Sequence, residues 1–210
     1  MNMTVQREPR VFIVSGPSAS GKSTLVKRLL ELPKMLWSVS CTTRQPRPDD
    51  KQGIDWYTFV SQEEFERMVE RDAFLEYAKV FGKYWYGTPR RWLDEARNKG
   101  WDLLLEIDVQ GAVQVKGKIP DAISMFIIPP SKQELESRLR ARGTNSEEEI
   151  ARRLARARQE MESYQGYDYV VVNDDLERAG NEVQAIVMAA RCSRVVNDKR
   201  IRQILDSFGG

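Results

Sequence analysis

One short run constrains this chain more than any other part of its sequence. The run fits G-x-x-x-x-G-K-[ST], the pattern of a loop whose backbone N–H groups cradle phosphates. Its members are Gly16, Pro17, Ser18, Ala19, Ser20, Gly21, Lys22, Ser23 and Thr24. Residues 11–14 before it are apolar and β-branched enough to predict a buried strand, and residues 25–30 after it have helical spacing. This phosphate loop is therefore predicted to lie at a helix N-terminus, whose partial positive charge suits a bound phosphate.

Individual residues of the phosphate loop have predicted roles. Lys22 is expected to reach the β- and γ-phosphates of a nucleotide, and the hydroxyl of Ser23 is expected to hold Mg²⁺. Gly16 and Gly21 allow the backbone to turn sharply and to approach a phosphate closely. The loop therefore predicts binding of a nucleoside triphosphate.

The composition limits what else the chain can do. Its 210 residues, 41% of them hydrophobic, predict one domain with a sizeable core. The 33 basic side chains nearly balance the 31 acidic ones, so the net charge of +2 argues against binding to nucleic acid or to a membrane. Histidine is absent, which excludes an imidazole base, a Cys–His pair and a histidine-ligated metal.

The sequence also predicts a cytoplasmic location. No apolar stretch reaches the length of about 18 residues that a membrane span needs. Residues 1–10 are too polar for a signal peptide. Cys41 and Cys192 are isolated and lack metal-ligand spacing, which fits a reducing compartment.

Apolar runs alternate with helical patterns along the chain. This alternation predicts an α/β fold with a parallel sheet and helices on both of its faces. The runs are 11–14, 103–107, 123–128 and 169–172. Thr88-Pro89 predicts a helix start, with a cap residue before a proline at the first helical position. Capping boxes predict further helix starts at Ser61, Ser131 and Ser146.

Two regions do not fit the sheet or its covering helices. Residues 42–87 open with a polar run that contains prolines and then gather aromatic side chains. Residues 134–164 are dense in arginine, and for most of these arginines we favour pairing with residues 147–149 and with solvent. The helix that follows Ser146 carries one apolar stripe of Ile150, Leu154, Ala157 and Met161.

The last part of the chain, after residues 173–175, is predicted to be mostly helical. One set of apolar residues there is spaced to pack against the sheet, namely Val183, Ile186, Val187 and Ala190. A second stripe is expected to dock on this molecule or on a partner, and consists of Ile201, Ile204, Leu205 and Phe208.

Residues 38–48 read Ser-Val-Ser-Cys-Thr-Thr-Arg-Gln-Pro-Arg-Pro and resemble the GMP-binding signature of guanylate kinases. The resemblance continues in order to about residue 186 and so covers most of the chain. A phosphate loop alone is typical of a superfamily, whereas this ordered set is typical of one family. The further matching runs are 74–76, 86–88, 106–111, 129–131, 142–144 and 172–175.

That resemblance implies a three-layer α/β/α P-loop NTPase core with a parallel sheet, an NMP-binding region and a lid. The implied single domain, 1–210, divides into a core (about 9–41, 88–133 and 165–210), an NMP-binding region (about 42–87) and a lid (about 134–164). The implied reaction transfers the γ-phosphate of ATP to GMP, giving ADP and GDP, with Mg²⁺ as cofactor, in purine nucleotide metabolism. ATP and GMP are thus the implied partners, and the oligomeric state stays open.

The resemblance also implies which residues bind GMP. Its phosphate is expected to contact Arg44, Arg47, Tyr57 and Tyr86, with Asp50 in place of a glutamate in the same run. Guanine is expected to be read by Ser40, Glu76, Thr88 and Asp108.

The remaining implied roles belong to the ATP side of the site. Three arginines of the lid, Arg138, Arg142 and Arg153, are expected to close on the phosphates and to act in catalysis with Lys22 and Arg44. Asn173 is expected near adenine. Ala19 stands where the family's phosphate loop often has a second glycine. Glu106 stands where an aspartate near Mg²⁺ is typical, and is expected to act through a water.

Elementary chemistry supports this division of roles. Guanidinium groups fit phosphate bidentately and stay charged at physiological pH. Guanine offers an N1–H and an NH₂ as donors, which the carboxylates of Glu76 and Asp108 can accept. Adenine presents a bare lone pair at N1 to the same carboxylates, so it should be rejected. The acceptor oxygen of GMP is already ionised, so catalysis needs no general base.

Three alternatives remain at this stage. Trp56 rivals Tyr57 for the phosphate-binding position. A non-enzymatic guanylate-kinase-like domain that binds protein partners is a second possibility, although such domains usually have a degraded phosphate loop. A related P-loop kinase with a different phosphorylated acceptor is the third.

Overall fold

The computed structural model describes residues 8–46, 57–80, 82–141 and 146–208. Its strands are β1 (Val11–Ser15), β2 (Met35–Trp37), β3 (Ser40–Thr42), β4 (Tyr57–Phe59), β5 (Phe74–Val80), β6 (Tyr84–Pro89), β7 (Asp102–Glu106), β8 (Ile123–Ile128) and β9 (Tyr169–Val172). Its helices are α1 (Lys22–Leu30), α2 (Gln62–Glu70), α3 (Arg91–Lys99), α4 (Val109–Lys118), α5 (Lys132–Ala141), α6 (Glu147–Met161), α7 (Leu176–Arg191) and α8 (Arg194–Asp206), with a 3₁₀ turn at Glu162–Gly166.

The larger of two sheets, called here the core sheet, is parallel and has the strand order β2-β7-β1-β8-β9. Its central strand β1 pairs with β7, where Val11 lies opposite Leu103, and with β8, where Phe12 lies opposite Ile123. Every residue of β1 is buried, as its apolar run predicts for a strand covered on both faces. The predicted parallel sheet is confirmed.

Helices cover both faces of the core sheet. On one face α1 and α7 pack against Phe12 and Leu104, and on the other α3 and α4 pack against Ile13 and Leu105. The predicted contacts of α7 with the sheet are also present, since Val183 and Val187 are buried in the first of these clusters and Ile186 and Ala190 pack beside them. The result is the expected three-layer arrangement.

A second sheet, which residues 42–87 were not expected to form, has the strand order β4-β3-β6-β5. Its strands β3 and β4 are parallel, whereas β6 runs antiparallel to both β3 and β5. The aromatic side chains of this region form its core, in which Phe65 of α2 stacks on Phe74 with 4.6 Å between ring centroids. The prediction failed here because these strands carry polar residues among the aromatic ones, so no continuous apolar run marks them.

The predicted helix start at Thr88-Pro89 is wrong. Both residues belong to β6, and α3 begins at Arg91 after Arg90, which makes no side-chain cap. Thr88 lies opposite Glu76 of β5 in the second sheet, and its hydroxyl bonds to that carboxylate instead of capping a helix. The tertiary contact with Glu76 therefore overrides the local capping pattern.

The three serine caps are confirmed. The hydroxyls of Ser61, Ser131 and Ser146 each accept a hydrogen bond from the backbone N–H three residues later, at 3.1, 3.1 and 3.2 Å. Each cap satisfies one of the donors that a helix start leaves unpaired.

The helices α5 and α6 pack against each other and against the phosphate loop. Ile150 and Ala157 are buried, and Leu154 lies beside them, so the predicted stripe faces inward. Ala19 of the phosphate loop shares this cluster with Leu135 and Leu139 of α5.

The apolar stripe of α8 does not dock on this molecule. Its members are exposed, from 41% for Ile201 to 83% for Phe208. Across the described ranges, no helix combines the length and the apolar character that crossing a membrane requires.

Candidate active site

A cleft of about 420 Å³ opens between the core sheet, the second sheet and α6. The phosphate loop joins the carboxyl end of β1 to the start of α1, and the next strand β7 ends beside it at Glu106. Ligands of open α/β sheets bind at such carboxyl ends. The cleft is lined by Gly16, Ser18, Lys22, Ser23, Trp37, Ser38, Ser40, Tyr57, Glu76, Ala78, Val80, Tyr86, Glu106, Ile107, Asp108, Arg153, Arg156 and Glu160.

Both glycines of the phosphate loop are required by the backbone. Gly16 has φ +145° and Gly21 has φ +94°, values that residues with a side chain rarely adopt. A Cβ at Gly16 would lie 2.1 Å from the carbonyl oxygen of Ile127, and one at Gly21 would lie 2.0 Å from Nδ2 of Asn173. Only glycine at these two positions therefore allows the loop to approach its neighbours, and a phosphate, this closely.

Lys22 reaches back over the phosphate loop. Its Nζ donates hydrogen bonds to the carbonyl oxygens of Gly16 (2.5 Å) and Pro17 (2.9 Å). The side chain lines the cleft, so these carbonyls hold the ammonium group where an incoming phosphate would meet it.

Ser23 and Glu106 form the pair predicted to serve Mg²⁺. The Ser23 hydroxyl donates to Oε1 of Glu106 at 2.8 Å. The other oxygen, Oε2, is buried and has no hydrogen-bond partner among the described residues, and burial raises the pKa of this carboxyl. A hydroxyl and an under-coordinated carboxylate are the oxygen donors that Mg²⁺ prefers, so these residues fit the metal.

No group of three or more acidic, cysteine or histidine side chains that could hold a metal occurs in the described part of the chain. A magnesium ion bound through one or two protein oxygens takes its remaining ligands from substrate phosphates and water. The sparse donor set at Ser23 is therefore consistent with a metal that arrives with its nucleotide.

Glu76 is buried in the wall of the cleft, with Thr88 as its main partner. Thr88 Oγ1 donates to Oε1 of Glu76 at 2.6 Å, and the hydroxyls of Ser40 and Thr88 lie 3.4 Å apart. Burial raises the pKa of Glu76 to about 7, although the hydrogen bond from Thr88 opposes the rise, and the carboxylate of Asp108 adds to it. Ser40, Glu76 and Thr88 thus form a compact polar group, in which the carboxyl of Glu76 titrates near neutrality.

Asp108 uses only one of its carboxylate oxygens within the protein. It is the N-cap of α4, where Oδ1 accepts from the backbone N–H of Gly111 at 2.9 Å. The second oxygen, Oδ2, is buried and makes no hydrogen bond to any described residue. That oxygen is therefore available to a donor from a ligand.

Gly111 lets α4 come close to Glu76. A Cβ at this position would lie 2.6 Å from Oε2 of Glu76, closer than a real Cβ contact allows. The start of α4 therefore positions Asp108, which caps the helix. It also leaves room for Glu76, because Gly111 has no side chain.

Arg44 lies behind the aromatic side chains predicted to bind the acceptor phosphate. Its residue is only 8% exposed, and its guanidinium carbon lies 5.5 Å from the ring centroid of Tyr57 and 5.2 Å from that of Phe59. Tyr57 in turn meets Tyr86 edge-on at 5.4 Å. The predicted residues Arg47 and Asp50, and the rival Trp56, lie outside the described residues.

The described arginines of the predicted lid bond to the phosphate loop from two sides. Arg138 donates from Nη2 to the carbonyl of Asn173 (2.9 Å) and from Nη1 to that of Ser20 (3.4 Å). Arg153 reaches Ser18 Oγ at 3.4 Å from Nη1. Arg142 lies outside the described residues.

Asn173 is buried at the back of the phosphate loop. Its Nδ2 donates to the carbonyl of Ser20 at 2.8 Å. Neither Asn173 nor Arg138 lines the cleft, whereas Ser40, Tyr57, Glu76, Tyr86 and Asp108 of the predicted GMP set do.

Sequence reasoning missed several residues of this site. Gly111 lies within a matching run and Phe59 follows two residues after Tyr57, but only the folded chain shows their contacts with Glu76 and Arg44. Arg156 and Glu160 also line the cleft, and their spacing from Arg153 was a readable signal, since residues three and seven apart share a helix face.

Comparisons with known proteins agree with one another. A family profile described as guanylate kinase matches residues 8–190. A guanylate kinase of Caldanaerobacter subterraneus is 46% identical over 191 residues, which are 90% of this chain and 92% of that protein. One of Neisseria gonorrhoeae is 49% identical over 193 residues, 91% of this chain and 93% of that protein. The crystal structure of guanylate kinase from Anaplasma phagocytophilum superposes with a TM-score of 0.76 at 33% identity, covering 96% of this chain and 95% of that one.

Proposed function

The chain belongs to the guanylate kinase family of ATP:GMP phosphotransferases, and we propose that its reaction takes place in the cleft described above. In this reaction the bond between the γ-phosphorus of ATP and its bridging oxygen breaks, and a phosphate oxygen of GMP forms the new bond. The products are ADP and GDP. One observation carries the proposal: a glycine-constrained phosphate loop, the buried carboxylate of Glu76 and the half-buried carboxylate of Asp108 face the same cleft.

The phosphate loop and the arginines stabilise the negative charge of the phosphates. The acceptor oxygen needs no general base, so catalysis consists of positioning and of stabilising the charge on the transferring group. Lys22 exchanges its two carbonyl partners for phosphate oxygens, and Arg153 stands over the same loop at Ser18. Arg44, with Tyr57 and Tyr86, binds the phosphate of GMP, and Arg47, Asp50 and Arg142 join these sets.

Mg²⁺ is the proposed cofactor. It would neutralise negative charge on the phosphates of ATP. Ser23 Oγ would hold it, and Oε2 of Glu106, which is buried without a hydrogen-bond partner among the described residues, would act through a water. The hydrogen bond between these residues holds the hydroxyl oxygen at the mouth of the loop.

Guanine is selected by hydrogen bonds that adenine cannot make. The N1–H and the NH₂ of guanine donate to the carboxylates of Glu76 and Asp108, and the hydroxyls of Ser40 and Thr88 complete the set. Asp108 Oδ2 takes part without giving up the cap of α4, because Oδ1 serves that cap. Asn173 lies on the adenine side of ATP, behind the phosphate loop.

The division of the chain follows from the same assignment. The core sheet and its helices are the ATP-binding core, the second sheet with α2 is the NMP-binding region, and α5 and α6 are the lid. The non-enzymatic alternative has no support in the site, because the phosphate loop and Lys22 are intact.

Measurement of ADP production from Mg·ATP tests the proposal directly. GMP, dGMP, AMP, CMP and UMP would be compared as acceptors at equal concentration. We expect GMP to be preferred over AMP, CMP and UMP by several orders of magnitude. Equal rates with GMP and AMP would contradict the assignment of the carboxylates to guanine.

A further inference from the structure

One face of α6 lines the cleft. Arg153, Arg156 and Glu160 are three and seven positions apart, so they lie on the same side of the helix, and all three are part of the cleft wall. Arg158 lies on another face, in a separate groove between α5 and α6. The helix thus divides its arginines into one group that faces the nucleotides and one that does not.

The cleft-facing side of α6 runs from the phosphate loop toward the guanine-reading wall. At one end, Arg153 contacts Ser18 of the loop. At the other end, Glu160 lines the cleft together with Asp108 of the guanine-reading wall. Arg156 lies between these ends, one turn beyond Arg153, and lines the same cleft.

Glu160 fixes the direction of the Arg156 side chain. Its Oε1 accepts from Nε of Arg156 at 2.6 Å, and the two side chains are 15% and 28% exposed. A guanidinium held through Nε presents its Nη edge away from the carboxylate, in the fork geometry that suits a phosphate. Glu160 thus fixes the orientation of the guanidinium through Nε.

The negative charge of the cleft favours a cationic side chain on the side formed by α6. Glu76, Glu106 and Asp108 all line the cleft, and GMP brings about two further negative charges on its phosphate. Arg44 lies outside the cleft wall, 5.5 Å from the ring of Tyr57, whereas Arg156 of α6 lines the cleft itself beyond Arg153.

We propose that Arg156 contacts the phosphate of bound GMP and that Glu160 is the residue that positions it. This inference rests on the proposed function, because it assumes that the acceptor occupies the cleft as assigned. It adds a substrate-contacting arginine from the lid to Arg44 of the second sheet.

Steady-state kinetics on matched arginine variants test the inference. Arg156→Ala should raise the KM for GMP roughly 10- to 100-fold at saturating Mg·ATP, the loss expected for one charge-assisted contact. The KM for ATP should change less than about threefold. Arg158→Ala, two positions along the same helix, should leave both constants near those of the wild type. A KM for GMP that is equal in Arg156→Ala and Arg158→Ala would overturn the inference.

Two further measurements distinguish a role of Arg156 in binding GMP from a role in stabilising the helix alone. Arg156→Gln keeps the first three carbons of the side chain and a polar end without the charge, and should raise the KM for GMP as Arg156→Ala does while unfolding at the wild-type temperature. Glu160→Ala should raise the KM for GMP in the wild-type background but not in Arg156→Ala, because it acts through Arg156. Wild-type KM in Arg156→Gln, or additive effects in the double variant, would overturn the assignment.

The failure of this inference differs from the failure of the proposed function. Wild-type protein that forms no ADP in response to GMP would remove the proposed function itself. Wild-type protein that is active, with Arg156 variants unchanged, would remove only the role of Arg156.

Discussion

The hydroxyl of Thr88 donates a 2.6 Å hydrogen bond to the carboxylate of Glu76, and both side chains are buried in the second sheet. The two residues lie opposite each other on β5 and β6, so the contact is built into the strand register. It places a carboxyl group with a pKa of about 7 against the cleft.

This pKa predicts that GMP use depends on pH. The ionised carboxylate accepts from guanine more strongly than the neutral carboxyl group does, so kcat/KM for GMP should fall as the pH drops below about 7. At a pH one unit lower, roughly a tenth of the Glu76 groups are ionised, and kcat/KM should be about tenfold lower than its value at high pH. Binding of GMP should accordingly release a proton near neutral pH.

The substrate phosphate also titrates, near pH 6, and needs a control. The Glu76→Gln variant uses the same substrate but has no carboxyl group at position 76 to ionise. The ratio of the two pH profiles isolates Glu76, and parallel profiles would remove it as the titrating group.

Glu76→Gln should also change the choice of base. The amide keeps an oxygen acceptor but loses the charge, which should lower kcat/KM for GMP roughly 10- to 150-fold. AMP lacks the donor that Glu76 accepts, so its use should change little and the preference for GMP should narrow. Arg44→Ala is the matched comparison, since it should weaken GMP and AMP together. An unchanged GMP/AMP ratio in Glu76→Gln would exclude Glu76 from base reading.

Gly111→Ala should disturb the same carboxylate from the other side. The new methyl group would displace Oε2 of Glu76, 2.6 Å away, so we expect the KM for GMP to rise at least tenfold and the KM for ATP to stay unchanged. Gly117→Ala in the same helix is the control, because nothing lies within 4 Å of its Cβ position. Equal KM values for GMP in the two variants would show that α4 does not constrain Glu76.

Lys22→Ala should nearly abolish phosphoryl transfer. The variant loses the point charge that the phosphate loop holds against the transferring group, and kcat should fall by far more than tenfold, a loss above ~1.4 kcal/mol. Lys27→Ala, on the exposed face of the same helix, should retain full activity. A Lys22→Ala enzyme that keeps more than about a tenth of wild-type kcat would contradict the role of Lys22.

Arg153→Ala should lower kcat more than it raises the KM for GMP. Its side chain stands over the phosphate loop at Ser18, where charge develops late in the reaction. Arg140→Ala should do little, since Arg140 is paired on the surface with Glu136 and Glu147. Similar losses of kcat in both variants would indicate a bulk electrostatic effect of the arginine-rich region.

The core sheet was predictable because burial on both faces leaves a plain apolar signature. β1 and β8 appear in the sequence as continuous apolar runs, whereas the short edge strand β2 is only partly buried and was missed. The second sheet was also missed, because β5 carries Glu76 among its apolar residues. A functional carboxylate there disrupts the pattern from which a strand is predicted.

The candidate site shows the same limit. Motif spacing identified the phosphate loop, and the resemblance to guanylate kinases implied the two carboxylates. Neither could show that Thr88 bonds to Glu76, nor that Asp108 divides its oxygens between a helix cap and the cleft. Both facts depend on contacts between segments distant in sequence. Arg156 was not singled out from the arginine-rich region, although its spacing from Arg153 places both residues on one helix face.

Ala19 gives the phosphate loop a second task. Its backbone has φ 65°, a conformation that costs a residue with a side chain roughly 1–2 kcal/mol, and glycine would avoid that cost. Its methyl group, however, is buried among Leu135, Leu139 and Ile150 of α5 and α6. Removing that methyl group from its apolar contacts would cost about 0.8 kcal/mol for one carbon unit. The left-handed backbone of Ala19 is therefore tied to the packing of α5 and α6, and any change in the position of these helices is felt directly in the phosphate loop.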